Sequence, residues 1–428
     1  MPDKGPSTRR LWAWIPTLYV AEGLPYVVVM TVSVIMYKGF GISNADIALY
    51  TSWLYLPWVI KPLWSPVVDI LGTRRRWIWV TQLVVGAALA GVALAIPAPD
   101  VFRWTLVFFW LLAFDSATHD IAADGFYMLA TTEQQQALFV GVRSMFYRVA
   151  TIAGQGLLVM LAGELQTHTG NLRLAWSVAM WALAGLFLLF GLWHRFVLPR
   201  PAVDHPGEAR QIPQFVREFL GTFGSFFRKK RIVALMLFLL LYRLGEAQLV
   251  KMVSPFLLDP RAAGGLALTT TEVGFVYGTV GIIALTLGGI LGGWAASRHG
   301  LKAWLWWMLL AIHLPDAAFI YLAYAQPTSM PVVLACVAVE QFGYGFGFTA
   351  YVLYMIYIAR GEHQTAHYAI CTGFMALGMM LPGMWSGALQ EAIGYRHFFV
   401  WVILATIPSF VVALWIPLEK EFGRKAAP

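Results

Sequence analysis

Long apolar stretches separated by short polar loops occupy almost the whole chain, and they restrict its fold more than any other feature. The stretches run past the roughly 18 residues that suggest a membrane-spanning helix, and they lack the polar and apolar alternation of barrel strands. Only 12% of the 428 residues are charged and 59% are hydrophobic, whereas soluble domains carry about 25% charged residues. We therefore expect an all-α integral membrane protein, because only helices or closed barrels satisfy their backbone in lipid.

About twelve spans can be placed on the sequence, and an even number puts both chain ends on one side of the membrane. Loops on that side hold about twenty Lys and Arg residues, and the opposite loops hold about five. Because basic residues concentrate in cytoplasmic loops, both termini are predicted to be cytoplasmic. The predicted spans cover residues 11–37, 47–64, 77–96, 104–129, 138–161, 174–197, 232–258, 273–296, 301–324, 331–359, 366–389 and 398–416.

Several classes of function are disfavoured. The net charge of +8 is spread over loops and not over one soluble face, so no nucleic-acid partner is expected. There is no Walker loop, HExxH motif or thiolate cluster, so we expect no ATP-driven pump, no enzyme, no metal and no cofactor. The expected partners are a small-molecule substrate, protons and membrane lipids, and the chain is expected to be monomeric.

A polar stretch of residues 198–231 with four prolines divides the chain almost in half. This predicts an N-terminal six-helix bundle over residues 1–197, a cytoplasmic linker, and a C-terminal six-helix bundle with a tail over residues 232–428. Apolar residues at helical spacing in the linker favour a helix on the inner leaflet, and a disordered tether is the alternative. The apolar residues are Ile212, Phe215, Val216, Phe219, Phe223, Phe226 and Phe227.

The two halves resemble each other when the second is shifted by about 220–230 residues. The repeat therefore predicts a duplicated transporter fold with its substrate site at the pseudo-symmetric interface. The matching positions are Tyr19 and Glu22 with Tyr242 and Glu246, the loop 69–74 with the loop 297–302, and Asp115 with Glu340.

The loop after the second span contains Asp69, Gly72, Arg74 and Arg75. It resembles the cytoplasmic signature loop of the major facilitator superfamily. Gly72 permits a tight turn, and Asp69 can bond to the end of a neighbouring helix. We expect a conformational latch here. A basic loop that only sets topology is the alternative.

The fourth span carries Asp115, His119, Asp120 and Asp124. Charges at membrane depth normally face a cavity or a partner. Asp120 and Asp124 share one helix face, and Asp115 and His119 share an adjacent one. Acids crowded in a partly dry cavity favour proton uptake near neutral pH, so these residues and Glu340 of the tenth span are candidates for proton coupling.

Arg143 and Arg148 of the fifth span are the candidate charge partners of these acids. The alternative to proton coupling is a purely structural network of acids and arginines, and one network could serve both purposes.

Further ionisable groups in the spans are candidates for contact with the substrate. Glu22 precedes Gly23 and Pro25, which predict a break in the first helix. Lys61 and Lys251 lack a counter-charge in their own helices and would suit a substrate carboxylate, or their amines snorkel to the interface. Arg243 and Glu246 are the other ionisable candidates for substrate contact, and Asp316 and Glu340 are further ionisable groups within the spans.

Two alternatives stay open for the second half of the chain. Arg243 and Glu246 are three residues apart and could pair with each other. Tyr344 and Tyr351, with Tyr354, follow one face of the tenth span, where they could stack on sugar rings or simply pack in the protein.

Five segments carry a wider resemblance: Glu22–Pro25, Lys61–Asp69, Asp120–Asp124, Tyr242–Ala247 and Glu340–Gly345. On these segments the sequence is similar to the AmpG-type muropeptide permeases, in the peptide/acetyl-coenzyme A transporter branch of the major facilitator superfamily. The similarity is collinear over nearly the whole chain.

This resemblance implies proton-driven import of N-acetylglucosaminyl-anhydro-muramyl peptides across a Gram-negative inner membrane. It implies that Asp120 and Asp124 are the acidic pair of the fourth helix, and that Lys61 and Arg243 are the cations of the two halves. His119 departs from a family position that is often Gln, and Tyr127 and Leu129 from positions that are often Lys and an acid.

These departures leave other cargoes open, namely an oligosaccharide, acetyl-coenzyme A or a siderophore. A drug/proton antiporter is disfavoured because the fifth span has Gly154 and Gly156 without the proline of the antiporter repeat. A membrane transferase or a sensor is disfavoured because neither needs a two-fold repeat.

Overall fold

The structure is a computed structural model of the chain, and it describes residues 8–205, 220–221, 223–361, 364–419 and 421–423. All regular elements in these ranges are helical, which confirms the predicted all-α class. The α-helices before the linker are α1 (Thr8–Trp12), α2 (Ile15–Val27), α3 (Ser33–Gly39), α4 (Asn44–Trp53), α5 (Leu56–Leu71), α6 (Arg74–Ala95), α7 (Val101–Ala130), α8 (Glu133–Thr151), α9 (Val159–Thr169) and α10 (Leu172–Val197).

The second half begins after a left-handed residue, Arg231. Its described α-helices are α11 (Ile232–Leu241), α12 (Leu244–Leu258), α13 (Thr270–Val273), α14 (Ile282–His299), α15 (Leu301–His313), α16 (Ala317–Ala325), α17 (Met330–Ala359), α18 (Gln364–Leu404) and α19 (Ile407–Ala413).

Ten segments of the described chain are long and apolar enough to cross a membrane. One of them, Ala366–Ala413, has 48 residues, or about 72 Å as a straight helix, more than twice a bilayer core. It is interrupted at Gly394, whose φ of 72° is not helical, so it provides two crossings. The pair α4 and α5 provides the remaining crossing of the twelve predicted.

Some spans contain irregular turns. Three π-helical segments continue α-helices without a loop, at Val28–Val32, Ile152–Leu158 and Gly274–Gly281. The predicted break at Pro25 is wrong. Helix α2 continues to Val27, and the N–H of Val28 bonds to the carbonyls of Leu24 and Pro25, so the backbone stays paired.

The chain forms two compact units. Unit 1 contains residues Met1–Met36 and Ile60–Val216, and unit 2 contains Tyr37–Val59 and Arg217–Pro428. In unit 1, α6 packs against α7 and α10, and α2 packs against α8. In unit 2, α17 packs against α14 and α15, and α18 packs against α4 and α12. A stretch from the first half of the sequence is therefore part of unit 2.

Small residues allow α14 and α17 to approach closely. Gly345 of α17 faces the backbone of α14, and a Cβ atom at this position would overlap the carbonyl of Leu285. Only glycine fits such a backbone contact without displacement of a helix.

The linker is described only in part. Ile212, Phe215, Val216 and Phe219 of the predicted interfacial helix lie outside the described residues. Phe226 is fully buried, and its ring centroid lies 6.4 Å from that of Phe374. The end of the linker is therefore anchored in the core of unit 2.

Candidate functional site

The centre of unit 1 holds an ion pair between α5 and α7. Lys61 Nζ lies 3.4 Å from Asp120 Oδ2, and both side chains are mostly buried. The one acid of α5, Asp69, follows Lys61 by eight residues, and the neighbouring helix supplies the counter-charge.

A second ion pair joins α7 to α8. Arg143 contacts Asp124 through its terminal guanidinium nitrogen, and the hydroxyl of Tyr19 donates to the same carboxylate at 3.4 Å. The guanidinium carbon lies 4.3 Å from the ring centroids of both Tyr19 and Tyr127. Two aromatic faces therefore hold the cation in place. This role of the two tyrosines was not predicted from the sequence.

Glu22 of α2 completes this group, which we call the unit 1 charge cluster: Glu22, Lys61, Asp120, Asp124 and Arg143. Glu22 is 9% exposed, and its Oε2 has no hydrogen-bond partner among the described residues. It interacts electrostatically with the other four members. Three carboxylates and two cations leave one formal negative charge when all are ionised.

Other predicted members lie outside the cluster. His119 Nε2 lies 2.9 Å from the amide nitrogen of Gln82, and Gln82 Oε1 lies 2.8 Å from His194 Nδ1. These bonds tie α7 to α6 and α10. Asp115 Oδ2 is buried without a hydrogen-bond partner in the described chain, and Arg148 forms no ion pair with the described residues.

The basic loop is bonded within unit 1. The backbone N–H groups of Arg74 and Arg75 donate to the two carboxylate oxygens of Asp204 at 2.8 and 3.0 Å. The guanidinium of Arg75 donates to the carbonyls of Leu198 at 3.1 Å and of Arg195. Asp204 therefore acts as an anionic cap on the N-terminus of α6, a role that its linker position did not reveal.

The other residues of the predicted latch lie around the turn between α5 and α6. Gly72 lies in a two-residue turn between α5 and α6 but does not adopt a positive φ. The guanidinium of Arg74 packs against Gly125 of α7, where any Cβ would overlap it. The side chain of Asp69 lies outside the described part of the structure, so its predicted bond stays a prediction.

In unit 2, Arg243 does not pair with Glu246 among the described residues. Its guanidinium donates to the hydroxyl of Tyr344 at 2.5 Å and lies 4.9 Å from the ring of Phe348. Arg243 precedes α12 with φ −112° and ψ 20°, which is not helical. The i, i+3 geometry that would pair the two residues is therefore absent.

Glu246 lies instead near two other acids, Asp316 and Glu340. All three are buried. Lys251 is also buried, and its amine donates to Thr51 at 2.9 Å and lies 5.3 Å from the ring of Tyr55.

Tyr351 has a packing role. It is fully buried, donates to the carbonyl of Leu239 at 2.6 Å, and stacks 5.0 Å from Tyr242. The ring of Tyr351 is therefore covered by the protein itself and does not offer the surface that was predicted to stack on a sugar ring. Tyr344 is only half-buried.

A polar network that the sequence did not indicate lies at one end of unit 2. Lys38 Nζ lies 2.6 Å from Asp259 Oδ1, and Tyr395 donates to the other Asp259 oxygen at 2.6 Å. Asn44 Nδ2 lies 2.6 Å from Gln390 Oε1 and 2.9 Å from the Tyr395 hydroxyl. We call these residues the Asp259 network.

Comparison with known proteins gives one matching family model, the Major Facilitator Superfamily, over residues 18–249. The chain is 26% identical to the putative transporter AmpG 4 of Rickettsia conorii, covering 93% of this chain and 94% of the relative. It is 23% identical to the anhydromuropeptide permease of Escherichia coli, covering 86% of this chain and 72% of the relative. These matches confirm the resemblance to AmpG-type proteins.

Solved structures agree on the fold. A variant of the nucleoside transporter NupG superposes with a TM-score of 0.71 at 14% identity, covering 94% of this chain and 99% of that one. The tetrameric PepTSo2 superposes with a TM-score of 0.67 at 13% identity, covering 96% and 99%. At these identities the likeness concerns the fold alone.

Proposed function

Because the chain belongs to the major facilitator superfamily, whose model matches more than half of it, we propose that this membrane transporter is a proton-coupled importer of muropeptides. Its cargo is a GlcNAc-anhydro-MurNAc peptide or a related amino-sugar conjugate, moved from periplasm to cytoplasm by alternating access. The anhydromuropeptide permease among its relatives supports this class of cargo.

One observation carries the proposal: each acid of the predicted pair contacts a different cation in the unit 1 charge cluster. Asp120 lies beside Lys61 and Asp124 beside Arg143. A structural network alone would not need Glu22. Its carboxylate interacts electrostatically with both ion pairs, and one of its oxygens lacks a hydrogen-bond partner in the described chain.

The coupling step follows from charge balance. The cluster holds one surplus negative charge, so uptake of one proton neutralises it. Protonation of Asp120 or Asp124 removes the charge that holds Lys61 or Arg143. The released cation then binds a carboxylate of the muropeptide, and the altered cluster favours the other conformation of the transporter.

Residues of unit 2 provide further contacts in this proposal. Arg243 and Tyr344 bind polar groups of the cargo, and Lys251 contributes a second cation. The basic loop with Arg74 and Arg75 acts as the conformational latch.

We also propose the location and topology. The chain lies in a bacterial inner membrane as a monomer with both termini in the cytoplasm, and its bundles comprise residues 1–197 and 232–428. The distribution of Lys and Arg among the loops supports this orientation.

The test is uptake of radiolabelled GlcNAc-anhydro-MurNAc-tripeptide into proteoliposomes under an inward proton gradient. We expect Asp120→Asn and Asp124→Asn each to lower the uptake rate at least 10-fold. Glu164→Gln is the matched control, because Glu164 lies in the middle of α9 with a side chain that is more than half exposed, and it should keep the full rate.

Two results would count against the proposal. Full uptake in both Asn variants would remove the proton role of the pair. Absence of uptake by the unmodified protein, with uptake of an oligosaccharide, acetyl-coenzyme A or a siderophore instead, would reject the cargo.

A further inference from the structure

Three acids from three separate segments meet inside unit 2, and we call them the acidic triad. Glu246 lies in the first turn of α12, Asp316 ends the 3-10 turn Leu314–Asp316 between α15 and α16, and Glu340 lies within α17. One carboxylate oxygen of each lies within 4.8 Å of the others. Their exposed fractions are 0%, 1% and 1%.

These carboxylates lack compensation within the described chain. Both oxygens of Glu246 and both oxygens of Asp316 are buried without a hydrogen-bond partner. Glu340 accepts only from the amide of Gln341, at 3.0 and 3.2 Å. A buried ionised carboxylate costs several kcal/mol unless it is paired, and three of them also repel one another. The four unpartnered oxygens are stabilised only if the acids take up protons or bind a cation.

The nearest cation in sequence, Arg243, is not in direct contact with these acids among the described residues. Arg243 directs its guanidinium to the hydroxyl of Tyr344 and to the ring of Phe348. It acts on Glu246 electrostatically but forms no ion pair with it among the described residues.

We propose that Glu246, Asp316 and Glu340 bind one hard divalent cation of the Ca²⁺ or Mn²⁺ type. Oxygen ligands lie 2.3–2.6 Å from Ca²⁺, so two ligands on opposite sides of the ion are at most about 5 Å apart. The spacing of the triad is within this limit. All donors are carboxylate oxygens, the type of ligand that suits Mg²⁺, Ca²⁺ and Mn²⁺.

Charge balance selects a divalent ion. A divalent cation leaves one negative charge on the three carboxylates, and the nearby Arg243 offsets it. A monovalent ion would leave a net charge buried in the membrane, which is unfavourable. The proposal goes beyond the transport function, and it assigns Glu340 and Glu246 to cation binding in place of their predicted roles in proton coupling and cargo contact.

The experiment is a titration of the purified full chain in detergent with Mn²⁺, followed by electron paramagnetic resonance of the free ion. We expect one saturable site from which Ca²⁺ displaces Mn²⁺. Glu246→Gln, Asp316→Asn and Glu340→Gln should each weaken Mn²⁺ binding at least 10-fold. Asp120→Asn is the control and should bind Mn²⁺ normally, which separates this site from the proton coupling of unit 1.

A second measurement needs no variants. Dicyclohexylcarbodiimide modifies carboxyl groups in apolar surroundings, and mass spectrometry locates the modified residues. Mn²⁺ should protect the triad of the unmodified protein from this reagent. The proposal is overturned if no saturable Mn²⁺ site exists, if the triad variants bind Mn²⁺ normally, or if only protons and not Mn²⁺ change the labelling.

Discussion

At the scale of single residues, contacts between neighbouring helices bring opposite charges together in unit 1. Lys61, Asp120, Asp124 and Arg143 were all predicted candidates, and the structure brings them together in unit 1. Which acid meets which cation depends on the neighbouring helices, and no spacing along the chain contains that information. Arg243 and Glu246 are only three residues apart in sequence and yet do not pair among the described residues. A local departure from helical geometry at Arg243 separates them.

The Asp259 network allows a residue-scale prediction about stability. The side chains of Lys38 and Asp259 are only 14% and 12% exposed. Removal of one partner from a buried pair leaves an uncompensated charge and costs about 3–5 kcal/mol. We expect Lys38→Met and Asp259→Asn each to lower the thermal unfolding midpoint in detergent, and the double variant to lose less than the sum of the two.

The control for this double-mutant cycle is a solvent-exposed ion pair. Arg360 and Glu419 are 51% and 67% exposed, and such pairs contribute little. Glu419→Gln should therefore leave the midpoint unchanged. If the losses in midpoint of Lys38→Met and Asp259→Asn simply add up in the double variant, the interaction assigned to Lys38 and Asp259 is contradicted.

At the scale of elements, hydrophobicity was sufficient to predict the spans, because a lipid environment requires continuous apolar helices. Their internal irregularities were not predictable. Pro25 suggested a break in the first helix, yet a π-helical segment beginning at Val28 keeps the backbone bonded. The 3-10 turn at Leu314–Asp316 creates part of the acidic triad, and the Pro315 within it was not recognised as its signal.

The contact between α14 and α17 supports a prediction at this scale. Gly345→Ala would place a methyl group on the carbonyl of Leu285, so the helices must separate and unit 2 should lose about 1–3 kcal/mol, as in overpacked cores. Gly293→Ala is the matched control, since a Cβ there meets nothing within 4 Å. Thermal unfolding in detergent should show a lower midpoint for Gly345→Ala only, and equal midpoints would refute the packing argument.

At the scale of the whole molecule, the duplicated organisation was predictable from matching motifs in the two halves of the sequence. The membership of residues 37–59 in unit 2 was not. Sequence repeats divide the chain at the linker, whereas compact units follow contacts between residues that are far apart in sequence. Asn44 meets Gln390 and Tyr395 across 346 and 351 positions.

This membership predicts the behaviour of a divided protein. Residues 1–205 and 220–428, produced together as separate chains, should co-purify through a tag on one of them, because residues 37–59 of the first chain pack within unit 2. Lys38→Ala with Asn44→Ala in the first chain should reduce the recovery of the second. Failure of the unaltered chains to co-purify would contradict this arrangement.

The same stretch has a consequence for the order of biosynthesis. Asn44 is synthesised 351 residues before its partner Tyr395, an interval of roughly 20–70 s at the usual speeds of translation, 5–20 residues per second. Until Asp259, Gln390 and Tyr395 are made, the side chains of Lys38 and Asn44 have only each other as native partners within the Asp259 network. This network of the transporter is therefore completed long after its first members have left the ribosome.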